Sequence, residues 1–209
     1  MAKRQKERIL DALGWFFIVL GITTAGWYVL FSRWQYAFWF CNHAMIIAGI
    51  ALLKRNKFWT TATLNWALVP VSMWVIDFAG KVLFDAHVLG ITEYMFIGPW
   101  WGRILSLQHL FTVPLLLYAL QLLGAADKNA WLGTTAHGAI LWLISYFIIT
   151  PDYNVNCAHE ACQSWLRGEY YVVLWPLIAV ALFYLTNAFL VWLLNSRAAR
   201  RQARARQRK

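Results

Sequence analysis

From Val172 to Leu185, and again from Ala44 to Leu53, the sequence runs without one charged side chain. A helix made of either run is apolar on every face, so it has no polar side to turn toward water. Several such runs in one chain place it in a bilayer, whose core of about 30 Å takes roughly 20 apolar residues per helical span. The composition agrees, with 61% hydrophobic residues, 13% charged and a mean hydropathy of +0.50 over 209 residues, which excludes an ordinary soluble domain. A closed barrel needs short strands of alternating polarity, and these runs do not alternate. The expectation is an all-α, polytopic six-helix transmembrane bundle in a single domain. Polar breaks place its spans at about 9–31, 35–53, 58–79, 103–123, 130–150 and 169–194.

The distribution of Lys and Arg orients the bundle. Fifteen of the 19 lie at the start of the chain (Lys3, Arg4, Lys6, Arg8), in two short returns (Lys54, Arg55, Lys57; Lys128) and in the tail (Arg197, Arg200, Arg201, Arg204, Arg206, Arg208, Lys209). Only Arg33, Lys81, Arg103 and Arg167 fall in the other connections. The excess of cations on one side puts both termini in the cytoplasm of a bacterial inner membrane or plasma membrane. The first segment follows basic residues as a signal peptide would, but it is long and lacks a small-residue cleavage site, so it reads as a retained anchor. The net charge of +10 sits at segment ends and needs no nucleic acid partner. The basic tail 195–209 instead suits anionic lipid headgroups.

The outer connections, about 80–102 and 151–168, are the long ones and hold Asp85, Glu93, Asp152 and Glu160. Within the first, Gly90 to Trp101 is too apolar for a solvated loop and too short to span, which suits a re-entrant or interfacial segment. Tyr94, Phe96, Trp100 and Trp101 belong at headgroup depth, and most of the 14 Trp serve as belt anchors and packing residues.

Chemistry is sought among polar residues inside the spans, where they are expensive and face the bundle interior. Counting 1.5 Å per residue from the outer side puts Cys41, Asn42 and His43 of the second span level with Gln108 and His109 of the fourth. Asp77 near the outer end of the third, Tyr146 and Thr150 closing the fifth, and Glu169 and Tyr170 opening the sixth lie in the same outer layer. A thiol, an imidazole and a carboxylate make a nucleophile, base and orienter set, with roles for Cys41, His109 and Asp77. His43 is the poorer partner for Cys41, because residues two apart on a helix point away from each other. Asn42, His43, Gln108, Tyr146 and Glu169 are candidate substrate-binding residues. His137 lies deeper, on a stripe with Thr134, Leu141 and Ser145, and extends a cavity or joins helices. Asn65 and Ser72 share a face of the third span.

The last outer loop contains Cys157, His159 and Cys162. The set lacks a fourth metal ligand, and an oxidising outer compartment favours a Cys157–Cys162 disulfide. Cys41 is then the unpaired thiol.

Six spans, the stretch Phe40-Cys41-Asn42-His43 on the second, and Leu107-Gln108-His109-Leu110 with Pro114 on the fourth together resemble the YwaF-like and androgen-induced superfamily of integral membrane proteins. The resemblance implies lipid acyl hydrolysis or acyl transfer, with Cys41 accepting the acyl group and His109 acting as base. Asp77, His43 and the Cys157/Cys162 loop are not part of that pattern.

The sequence thus reads as an outward-facing intramembrane enzyme acting on membrane lipid or another apolar acyl substrate, with no cofactor. Two other classes are compatible with the same residues. His43 and His109 at matched depth are a possible axial pair for haem b in an electron-transfer or quinone-linked protein, for which a Soret band is the test. Asp77 and His137 are possible relay residues of a small-molecule or proton carrier, or of an accessory subunit.

Overall fold

The computed structural model describes residues 2–98, 100–162 and 167–207, with side chains described to residue 196. The side chains of the tail cations from Arg197 onward lie outside the described residues. Among the described residues eight α-helices follow one another: α1 Lys3–Leu30, α2 Phe40–Leu53, α3 Lys57–Phe84, α4 Glu93–Ile97, α5 Trp100–Ser106, α6 His109–Leu123, α7 Ala130–Phe147 and α8 Tyr171–Gln207. No strand occurs among the described residues.

Among the described residues four stretches are long and apolar enough to cross a membrane: Lys3–Leu30, Lys57–Phe84, Trp100–Leu123 and Tyr171–Ser196. The third combines α5 and α6. The expected second span is divided: Trp34–Phe38 is a 3-10 helix, Trp39 is extended, and α2 has only 14 residues, about 21 Å at 1.5 Å per residue. The expected third span runs on to Phe84. The fifth closes at Phe147 and the sixth opens at Tyr171, each shorter at the loop side than the hydropathy suggests. In these places backbone groups are taken by loop contacts that hydropathy does not register.

Helix α3 is the hub, packing against α2, α6, α7 and α8, while α1 lies along α2. The α1–α2 contact is set by glycine. A methyl added to Gly49 would sit 2.5 Å from the Gly14 carbonyl oxygen and 2.5 Å from a side-chain carbon of Ile18. One added to Gly21 would sit 2.7 Å from Ile46. Bare glycine faces let the two backbones approach, which is how helices gain dispersion contact in lipid. One apolar cluster, including Leu10, Phe17, Met45, Leu52, Leu64 and Leu116, fills the space between α1, α2, α3, α6 and α8.

Polar contacts are concentrated at the two ends of the bundle. At the end where α1 starts, Arg55 donates to Asp11 at 2.7 Å and to the Glu7 carbonyl at 3.0 Å, tying the α2–α3 return to α1. There also Asn195 accepts from Ala126 N, Thr61 accepts from Asp127 N, and Asn187 donates to Lys128 O. The α6–α7 return is thereby pinned to α3 and α8. The opposite end carries the long connections, and the candidate site lies beneath them.

Candidate functional site

Two loops are anchored over the far end, each by one side chain. Asp77, near the end of α3, is fully buried. Its Oδ1 accepts from Leu89 N at 2.6 Å and Gly90 N at 3.0 Å, and its Oδ2 from Thr92 N at 2.8 Å and Thr92 Oγ1 at 2.6 Å. His87 Nδ1 stands 3.3 Å from Oδ2. A carboxylate offers about four lone-pair sites, so these donors occupy it. Thr92 is the residue before α4; Asp77 therefore fixes the start of the short helix that carries Tyr94.

Asn156 anchors the other loop. It sits in the left-handed region at φ 56°. Its Oδ1 accepts from Phe40 N at 3.0 Å, and its Nδ2 donates to Phe38 O and to Ser145 Oγ, each at 3.0 Å. One amide thus closes the first turn of α2 and joins it to α7. The Cys157–Cys162 disulfide forms as expected, with Cα atoms 5.4 Å apart. His159 Nε2 lies 3.1 Å from Ser145 O and 3.0 Å from Ile149 O, and Tyr171 donates to Cys157 O at 2.7 Å.

Between the two loops lies the thiol. Cys41 is the second residue of α2, free and partly buried, its Sγ 3.8 Å from Asn42 Oδ1. Asn42 is buried and donates to Tyr36 O at 2.9 Å, holding the preceding 3-10 turn. The Tyr94 hydroxyl accepts from Trp74 Nε1 at 2.9 Å and donates to Ser106 Oγ at 3.1 Å. Burial raises its pKa above the ordinary phenol value, so it remains a donor at neutral pH.

The imidazole joins the same group from α6. His109 Nδ1 lies 2.7 Å from the Ser106 carbonyl oxygen, and the ring stacks on Trp74 with centroids 4.8 Å apart and 21° between planes. A carbonyl can only accept, so Nδ1 carries the proton and Nε2 presents its lone pair. Ser106 and His109 flank the break at Leu107–Gln108 between α5 and α6. Gln108 is buried there, and its Oε1 has no partner among the described residues.

The geometry sorts the residues of the expected outer layer into groups. His109 shares the surroundings of Tyr94, through Trp74 and Ser106, while the Cys41 thiol contacts Asn42. Asp77 acts on that group through the loop it holds and makes no hydrogen bond to His109 among the described residues. His43 belongs to another group: its ring lies 5.7 Å from Phe38 and 5.9 Å from His137. Tyr146 stacks on Trp142 and His159, each with centroids 5.2 Å apart, and Glu169 is exposed in the turn before α8. Asn65 donates to Thr134 Oγ1 at 3.1 Å, joining α3 to α7. No three of His, Cys, Asp and Glu converge as a metal-holding set among the described residues. Sequence reasoning passed over Trp74, Ser106 and Asn156. It took Tyr94 for a headgroup anchor, because a loop tyrosine carries no local sign of which hydroxyl it will meet.

The chain matches no protein-family model, no curated protein and no solved structure.

Proposed function

We propose that this chain is a six-span membrane enzyme that transfers or hydrolyses the acyl group of a lipid, with Cys41 as nucleophile and His109 as base. The observation that carries the reading is the fixed tautomer of His109. Its Nδ1–H is spent on Ser106 O and its ring is held on Trp74, which leaves Nε2 free to accept a proton; Cys41 is the free thiol of the same expected layer. In the reaction, Nε2 takes the Cys41 proton as sulfur bonds to the acyl carbon, and returns it to the departing alcohol oxygen as the ester C–O bond breaks. Water or a second alcohol then attacks the thioester by the reverse path. The Tyr94 and Gln108 side chains supply polar groups beside the reacting atoms, and Asp77 holds the rim.

Substrate enters sideways from the outer leaflet. The excess of Lys and Arg at the end where α1 starts supports a cytoplasmic location for that end, and the basic tail then rests on anionic lipid. The test is the intact mass of the detergent-purified protein after exposure to phospholipid, under native and denaturing conditions. The expected result is an acyl adduct that survives denaturation, is absent in Cys41→Ser and forms at least about 100-fold more slowly in His109→Gln, the range in which a general base contributes. An adduct that persists in Cys41→Ser overturns the assignment of the nucleophile.

A further inference from the structure

We infer that His43 on α2 and His137 on α7 form a two-imidazole site for a single monovalent soft cation, copper(I), separate from the Cys41–His109 group. Their rings come from different helices and stand with centroids 5.9 Å apart. Neither ring has a hydrogen-bond partner among the described residues, and His137 Nε2 is buried and unsatisfied. A buried polar nitrogen without a partner costs about 1–3 kcal/mol, and a metal ion is one of the few groups that satisfies two imidazoles at once.

The spacing favours one coordination geometry. With metal–nitrogen bonds of about 2.0 Å, two imidazoles at a tetrahedral angle have ring centroids about 5.1 Å apart, and in a linear arrangement about 6.3 Å apart. The observed 5.9 Å corresponds to a wide angle between the two, about 140° by the same geometry. Two neutral nitrogens at so wide an angle suit two-coordinate copper(I), whereas zinc takes four ligands near the tetrahedral angle.

The surroundings choose the charge. Phe40 stands edge-on to His137 with centroids 4.8 Å apart, Phe38 flanks His43, and Phe40 stacks on Trp66. No carboxylate contacts either imidazole among the described residues, so nothing offsets a second positive charge. Because the Born cost rises with the square of charge, a divalent ion is about four times as expensive here as a monovalent one. A small crevice between α2, α3 and α7, lined by Phe40, Trp59, Trp66, Thr134 and His137, reaches the His137 side of the pair.

The experiment uses the full-length Cys41→Ser protein in detergent, which removes the competing thiol while keeping the Cys157–Cys162 disulfide oxidised. Copper(I), kept reduced with ascorbate without oxygen, is titrated against a chromophoric copper(I) chelator. One copper per chain is expected. His43→Ala and His137→Ala should each weaken binding by more than the roughly tenfold that loss of an outer-shell partner costs. X-ray absorption at the copper edge, read on the unmutated pair, should give two nitrogen neighbours and no sulfur. Failure to retain copper, equal retention by the His43→Ala/His137→Ala double variant, or a sulfur neighbour would each overturn the site. Zinc binding more tightly than copper(I) would overturn the choice of ion.

Discussion

At the scale of single residues, buried polar side chains here act by holding backbone. Asp77 accepts from three loop amides and a hydroxyl through its two oxygens. Asp77→Asn puts an NH2 donor among those donors, which should cost about 2–3 kcal/mol, the scale for losing hydrogen bonds to a charged acceptor. Hydrogen exchange at Leu89, Gly90 and Thr92 is the direct readout, and it should accelerate sharply in the variant while the α6 amides keep their rates. Unchanged exchange would mean that the loop is held by other contacts. Asn156 has the same role over α2. Asn156→Ala loses three hydrogen bonds and replaces asparagine, which tolerates the left-handed region, with alanine at φ 56°. It should loosen the first turn of α2 and raise the rate at which N-ethylmaleimide alkylates Cys41; an unaltered rate would separate the loop from the thiol.

At the scale of elements, the α1–α2 pair and the α5–α6 break set the positions of the proposed nucleophile and base. The pair is close because Gly14, Gly21 and Gly49 have no side chains to separate the helices. Gly49→Val must push α1 away or displace Ile18, an overpacking cost of about 1–3 kcal/mol. A thermal unfolding series in detergent should show Gly49→Val well below the natural protein, with Gly26→Val, where an added β-carbon meets nothing within 4 Å, close to it. The break at Leu107–Gln108 leaves Ser106 O outside a regular helical ladder, where it can accept from His109. Continuous hydropathy through 103–123 suggests one helix, and nothing in it announces that the ladder is interrupted where the imidazole needs an orienting carbonyl.

At the scale of the whole molecule, the two ends differ in purpose. Short, basic returns tied by Arg55, Asp127 and Asn195 close one end, and long connections anchored on Asp77, Asn156 and the disulfide cover the other. If the far end is extracytoplasmic, a membrane-impermeant maleimide should label a Glu169→Cys reporter in intact cells and leave a Lys128→Cys reporter unlabelled until the membrane is opened, both in a background without Cys41. The reverse pattern would invert the proposed topology. Losing the Cys157–Cys162 link, in the Cys157→Ser/Cys162→Ser pair, should cost about 2 kcal/mol by closure entropy for so short a loop. Asn156, His159 and Tyr171 should keep most of the loop in place.

What this sequence determined by itself is a set of statements about solvent: apolar runs with no polar face require lipid, helices satisfy their own backbone there, and two cysteines five residues apart in one connection can close on each other. Those properties are local, and each is written in consecutive residues. The matched depth of Cys41 and His109 is an expectation of the same kind, since rise per residue is fixed. The tertiary structure alone decided which polar groups meet. A helix that is apolar all round does not say which way it faces, so His43 turned out to stand by His137 and not beside His109. The bonds that shape the site span long separations, from Asn156 back to Phe40 and from Thr92 back to Asp77. Only the packing of α1, α2, α3 and α7 brings those ends within reach.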